Sequence, residues 1–133
     1  MKTQSEDNLN IKVAIEGLYK SFREKDHDGM ISAMTDDVWI RFLGQADFKG
    51  IKLASDFFKK SNALLDDLVF EITDTVIESP YAAVIWNETA RTKNGDIWTN
   101  HGVDVYMVRD SKIEFLHENN DLSVHYLHFP QDQ

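Results

Sequence analysis

The chain has 133 residues, one domain's length, and at 42% hydrophobic and 11% aromatic it can bury a core without covalent staples. It contains no cysteine, which excludes disulfide frameworks, thiolate catalysis, zinc ribbons and iron–sulfur clusters. A formal charge of -9 speaks against a nucleic acid as partner, because binding a phosphate backbone gathers Lys and Arg.

The first ten residues, MKTQSEDNLN, lack the apolar centre of a signal peptide. No apolar run approaches the roughly 20 residues of a membrane span. The expectation is a single domain over residues 1–133, soluble and cytoplasmic. Ile11, Ala14, Ile15, Leu18 and Phe22 recur at helical spacing and define a buried stripe. Lys12, Glu16, Lys20 and Glu24 alternate in sign on the opposite face, and Asp7 or Asn8 is the expected N-cap. After Lys25-Asp26-His27-Asp28-Gly29 the pattern predicts a short helix over 30–34, then a strand over 38–43 rich in β-branched and aromatic residues. A loop over 44–50 leads to a third helix over 51–65.

From Leu68 the period becomes two, and Phe70, Ile72 and Val76 alternate with polar residues up to Glu78-Ser79-Pro80. A second long strand is expected over 81–92. Lys93-Asn94-Gly95-Asp96 is the strongest turn signal, because Asn-Gly tolerates the positive φ angles of a type I′ hairpin. Strands over 97–108 and 113–120 flank the tight turn Arg109-Asp110-Ser111-Lys112. Helices first and hairpin-linked strands after them give an α+β fold. The helices pack on a strongly curved, mostly antiparallel sheet that forms a cone with an internal pocket.

Gly17-Leu18-Tyr19-Lys20-Ser21-Phe22 leading to Lys25-Asp26, then Asp36-Asp37-Val38, Gly50 and Asp56-Phe57-Phe58 follow in a recognisable order. Val105-Tyr106-Met107-Val108-Arg109-Asp110-Ser111-Lys112-Ile113 completes it, with Ser111 where Gly is usual. Over residues 9–122 the chain resembles the nuclear transport factor 2-like superfamily, in particular its ketosteroid isomerase-like and SnoaL-like (polyketide cyclase) branch. That fold hosts isomerases, cyclases, epoxide hydrolases, dehydratases and plain binding modules, so the resemblance implies a cavity more than an activity.

Strand alternation sorts the polar residues independently. Asn100, Gly102, Asp104, Tyr106 and Val108 share one face, as do Leu116, Glu118 and Asn120, and Val84, Trp86 and Glu88. If these faces line the cone, carboxyls converge among aromatics, where desolvation raises their proton affinity. Asp104 and Glu118 are the candidate catalytic groups. Tyr19, Phe42, Trp86, Glu88, Asn100, Tyr106 and Asn120 are the candidate ligand-lining residues. The resemblance places Asp104 where ketosteroid isomerases carry the acid that donates to the oxyanion, an enzyme whose neutral carboxylic acid is an established example. It places Glu118 where limonene epoxide hydrolase-like members carry a pocket aspartate. The isomerase's general base falls on Phe42, and its phenolic donor falls on Leu18 with Tyr19 one residue away. Steroid isomerisation by that mechanism is therefore not expected. With Phe42 unable to accept a proton, Glu118 is the expected base and Asp104 the donor. The two acids also read as a satisfied polar pair without a catalytic role.

His117-Glu118-Asn119-Asn120-Asp121 lacks the second His of a zinc helix, so neither a metal nor another cofactor is expected. Trp39, His101, Val103, Val105, Met107 and Phe115 fall on the outer sheet face, where an apolar patch predicts a homodimer. The functional expectation is a pocket protein for a small apolar, oxygenated molecule, acting as an isomerase, cyclase or hydrolase by proton transfer. The alternative is a non-catalytic ligand-binding or protein-interaction module of the same fold, the latter using the outer face with Tyr126 and Phe129.

Overall fold

Thr3 begins the first helix, α1 (Gln4–Glu24), by accepting a hydrogen bond from the Glu6 amide at 3.1 Å. This is a computed structural model, and it describes residues 3–42 and 47–132. The cap is thus Thr3 rather than Asp7 or Asn8. Asn8 instead accepts from the Ser79 amide at 3.0 Å and ties the helix to a sheet hairpin. The expected stripe is buried at Ile11, Ile15 and Leu18 and partly buried at Ala14 and Phe22, and Tyr19 is buried beside it, each buried Ile or Leu contributing roughly 1.5–3 kcal/mol. Lys25 closes the helix in the left-handed region at φ 52. Asp26 then caps α2 (His27–Ser32) through the Gly29 amide, so this helix starts earlier than the apolar pattern suggested.

Strand β1 (Met34–Phe42) is longer than expected at its start, because Met34 pairs with Ile113. The expected end of that strand at Leu43, and positions 44–46 of the loop, lie outside the described residues. A short strand, β2 (Phe48–Lys49), was not legible in the sequence and pairs with Trp39 and Ile40. Helix α3 (Ile51–Asn62) ends three residues before the pattern implied, and β3 (Leu65–Glu78) takes the remainder. Then β4 (Tyr81–Thr92), β5 (Ile97–Arg109) and β6 (Lys112–Asn120) follow. A final helix α4 (Leu122–His128), capped by Asp121, and a 3-10 turn at Pro130–Asp132 were not expected. Among the described residues, no helix is long and apolar enough to cross a membrane.

The type I′ geometry expected at Asn94-Gly95 is found at the other hairpin tip. At Asn94-Gly95 only Gly95 has positive φ, and Thr92 pairs with Asp96, so the loop has three residues with glycine in the left-handed region. The type I′ signature stands instead at Asp110 and Ser111, with φ 50 and 62. Arg109 and Lys112 pair directly across this two-residue turn, which leaves no other way to reverse the chain.

The strand order is β2-β1-β6-β5-β4-β3. Among the described residues only β1 and β6 run parallel, so the sheet is mixed but mostly antiparallel, curled and not closed. Register shifts after Asp66, Ile72 and Met107 increase its twist. Helices α1 and α3 lie over β3 and β1, and the core fills the space beneath them. The α+β cone read from the sequence is the observed fold.

The sheet register divides the concave face into rows. Ala82, Tyr106, Leu116 and Ile40 form one row, which belongs to the apolar core. The next row is Val84, Asp104, Glu118 and Phe42, followed by Trp86, Gly102 and Asn120, then Glu88 and Asn100. The first row is wholly apolar apart from the Tyr106 hydroxyl, and each of the next three carries at least one polar side chain. Gly102 matters to this arrangement. A Cβ there would stand 2.7 Å from Trp86 Cζ2 and 2.2 Å from the Asn119 carbonyl oxygen. Gly102→Ala is expected to destabilise the fold by about 1–3 kcal/mol through overpacking. Urea unfolding followed by Trp fluorescence measures it, and an unchanged midpoint would refute the close approach.

Candidate functional site

Beyond the core row the sheet, α3, β3 and α4 enclose a cavity of about 150 Å³. Phe22, Phe42, Phe57, Phe58, Phe70 and Leu116 make most of its apolar wall, with Trp86 and Trp98. Glu88, Asn100, Asp104, Glu118 and Asn120 enter it from the inward faces of β4, β5 and β6, and Lys25, Ser61, Asn62 and His125 add polar groups at its helical side. The period-two pattern delivers them because successive residues of a strand point to opposite faces. Of the ligand-lining candidates, Phe42, Trp86, Glu88, Asn100 and Asn120 border the cavity, as do both catalytic candidates.

Tyr19 and Tyr106 do not border it. Their rings are fully buried and their hydroxyls converge on Asp104. Tyr19 donates a short hydrogen bond to Asp104 Oδ2, and Tyr106 lies 3.2 Å from the same oxygen and 2.9 Å from the Tyr19 hydroxyl. Trp98 and Phe129, which were not among the expected ligand-lining residues, border the cavity. Trp98 was accessible to the alternation argument, since it stands two residues before Asn100 on the same strand. His125 and Phe129 were not, because their helix is formed by the Asp121 cap at the very end of the sheet.

Asp104 is 3% exposed, and its second oxygen, Oδ1, has no partner among the described residues. Burial pushes its pKa up to about 6, while the Tyr19 hydroxyl first, and then the nearby Trp86 and Tyr106 donors, oppose the rise. Glu118 pairs with Asp104 across β5 and β6. Burial, then the charges of Asp104 and Glu88, push Glu118 well above the usual carboxylate range. Unlike Asp104, it receives no protein hydrogen bond among the described residues that would favour ionisation. Glu88 accepts from Trp98 Nε1 at 2.5 Å, and burial lifts it to about 7 against that bond, the Asp104 charge adding to the rise. Burial above all keeps Tyr19 and Tyr106 protonated.

Arg41 and Lys49 lie over the Trp39 ring at 4.9 and 4.7 Å, on the opposite side of the sheet. Along that side Trp39, Phe115, Met107 and Tyr81 form a cross-strand apolar row. Val105 and Val103 continue it beside His117 and Asn119.

Comparison with known families settles the lineage. The family model described as SnoaL-like domain matches residues 15–115. The chain belongs to the SnoaL-like domain family. A comparison with curated proteins finds no match. Among solved structures this SnoaL-like chain is similar to a putative SnoaL-like polyketide cyclase from Jannaschia sp. CCS1, at TM-score 0.84 and 14% identity, covering 95% of this chain and 96% of that one. It is similar to the Δ5-3-ketosteroid isomerase of a Mycobacterium species, at TM-score 0.75 and 20% identity over 86% and 95% of the chains. A Mycobacterium tuberculosis protein solved with estradiol-17β-hemisuccinate has TM-score 0.76 and 21% identity over 86% and 96%. At these identities the likeness establishes the shared cone and no common reaction.

Proposed function

We propose that this SnoaL-like protein binds a small, largely apolar oxygenated molecule in its cavity and moves a proton on it, as an isomerase, cyclase or hydrolase does. One observation carries the reading: Asp104 and Glu118 are cross-strand partners at the cavity wall, and two phenols are committed to Asp104 but none to Glu118. Hydrogen bonds to the ionised form lower proton affinity, so a proton shared by the pair resides on Glu118. Asp104, with Oδ1 free, is then the base, and Glu118 is the acid that donates to the developing oxyanion. This division is the reverse of the one expected from the sequence, which did not place the phenols. The relative solved with a steroid ester supports a molecule of that polarity.

The test is proton transfer itself. The protein is incubated in deuterium oxide with a panel of apolar ketones and lactones, and exchange beside the carbonyl is followed by mass spectrometry. Enzyme-dependent exchange is expected for at least one compound. Binding without exchange across the panel would make the protein a ligand-binding module.

The outer face supports a homodimer, since its aromatic row would otherwise meet water. Val103→Asp should convert a sedimenting dimer to monomer without altering the cavity on the other side. A wild-type protein that sediments as a monomer at micromolar concentration would refute it. We propose the cytoplasm as the protein's location.

A further inference from the structure

Proton transfer between Asp104 and Glu118 leaves one enclosed acid unused. Glu88 borders the cavity from β4, opposite Asn100 on β5 and Phe70 on β3. One of its oxygens, Oε1, is fixed by the Trp98 indole N–H. The other has no protein partner among the described residues, and the side chain is half-buried. Phe70 meets Trp86 edge to face at 5.5 Å, and both rings border the same cavity. The nearest candidate counter-ion, Lys25, also borders the cavity, but its Nζ is held by the Leu65 carbonyl at 2.7 Å and by Asp66. A carboxylate enclosed by aromatic rings and without a protein cation matches a ligand cation. Its charge attracts the cation directly, and the ring faces attract it through their quadrupoles.

We propose that Glu88, with Trp86, Trp98 and Phe70, seats a protonated or quaternary nitrogen carried by the molecule that occupies the cavity. The proposal rests on the cavity being a small-molecule site, and it adds an organic ammonium to the ligand's chemical class. The apolar body then extends toward Phe42 and Leu116, which presents its oxygenated carbon to Asp104 and Glu118. Ionised Glu88 is required, and burial that lifts it to about 7 makes the seat weaken as pH falls through that value. The other titratable groups lining the same cavity are Asp104 on β5, Glu118 on β6, His125 on α4 and Lys25 at the end of α1, while β3 contributes only the apolar Leu65, Leu68 and Phe70.

The experiment uses benzyltrimethylammonium, whose charge does not vary with pH, and its uncharged carbon isostere neopentylbenzene, both titrated into the full chain by calorimetry. Near pH 8 the cation is expected to bind about tenfold more tightly than the isostere, and to lose most of that advantage near pH 5.5. Glu88→Gln retains an acceptor for Trp98 and should remove the preference at pH 8, leaving isostere binding unchanged. Equal binding of the two probes to wild type, or a preference that survives Glu88→Gln, would overturn the ammonium seat while leaving the cavity reading intact. Binding of neither probe would overturn both.

Discussion

Stability should rise, not fall, as the solution is taken from pH 8 toward pH 5. Asp104 and Glu88 have folded-state pKa values of about 6 and about 7, against 3.8 and 4.5 when unfolded. A carboxyl raised by folding contributes fully below its unfolded value, and the contribution is lost as pH rises through the folded value. For Asp104 the difference corresponds to roughly 3 kcal/mol, and for Glu88 to a similar amount, with the mutual coupling of the acids making the sum less than additive. Glu118 shifts in the same direction. Exposed Asp47, Asp66 and Asp121 are lowered by their partners and act oppositely, losing their contribution only in stronger acid. The window of gain therefore runs from about pH 7 down to about pH 4, most of it above pH 5. Thermal melts at constant ionic strength should show Tm higher by on the order of 10 °C at pH 5 than at pH 8. Glu88→Gln should flatten part of that slope and raise Tm at pH 8. A Tm that is flat or falls over this range would mean that the three acids are not enclosed as described. Retaining three carboxyls in an aromatic cavity at that cost argues that they serve a ligand.

The largest kinetic effect should follow from Asp104→Asn. The amide still accepts from Tyr19 and Tyr106 at its oxygen, so the buried cluster keeps its shape, but it cannot take up a proton. With a substrate identified by the exchange assay, kcat should fall by about 10²–10⁴ while ligand affinity changes little. Glu118→Gln should also lower kcat, since its amide donates a weaker hydrogen bond to a developing oxyanion than a carboxylic acid does. The wild-type profile should rise with an apparent pKa near 6 as the pair loses its first proton, and decline at higher pH as the second leaves. Those two values belong to the pair. Unchanged turnover in Asp104→Asn would remove it from the reaction, and loss of binding together with turnover would make it a structural support for the cavity.

Much of this was legible in the chain because it depends on local periodicity. Alternation along residues 97–108 and 113–120 put Asn100, Asp104, Glu118 and Asn120 on one face, and backbone geometry then allows few other outcomes. The apolar stripe from Ile11 to Phe22 was equally plain, since a helix must bury such a face. The hairpin tip at Asn94-Gly95 was visible too, but not its turn type, which the pairing of Thr92 with Asp96 decided. What stayed hidden depends on contacts between residues far apart in the chain. Helix rotation, fixed by packing on the sheet, turned Tyr19 onto Asp104 across 85 positions, and that contact decides which carboxyl keeps the proton. The β1–β6 parallel pairing set Phe42 beside Glu118, although the two segments carry no mutual signal. The final helix closed the cavity with His125 and Phe129 because the Asp121 cap starts it directly after β6. Periodicity determined which residues face inward. Only the curl of the sheet and the helices laid across it decided which of them meet, because burial and hydrogen bonding are properties of the assembled cone.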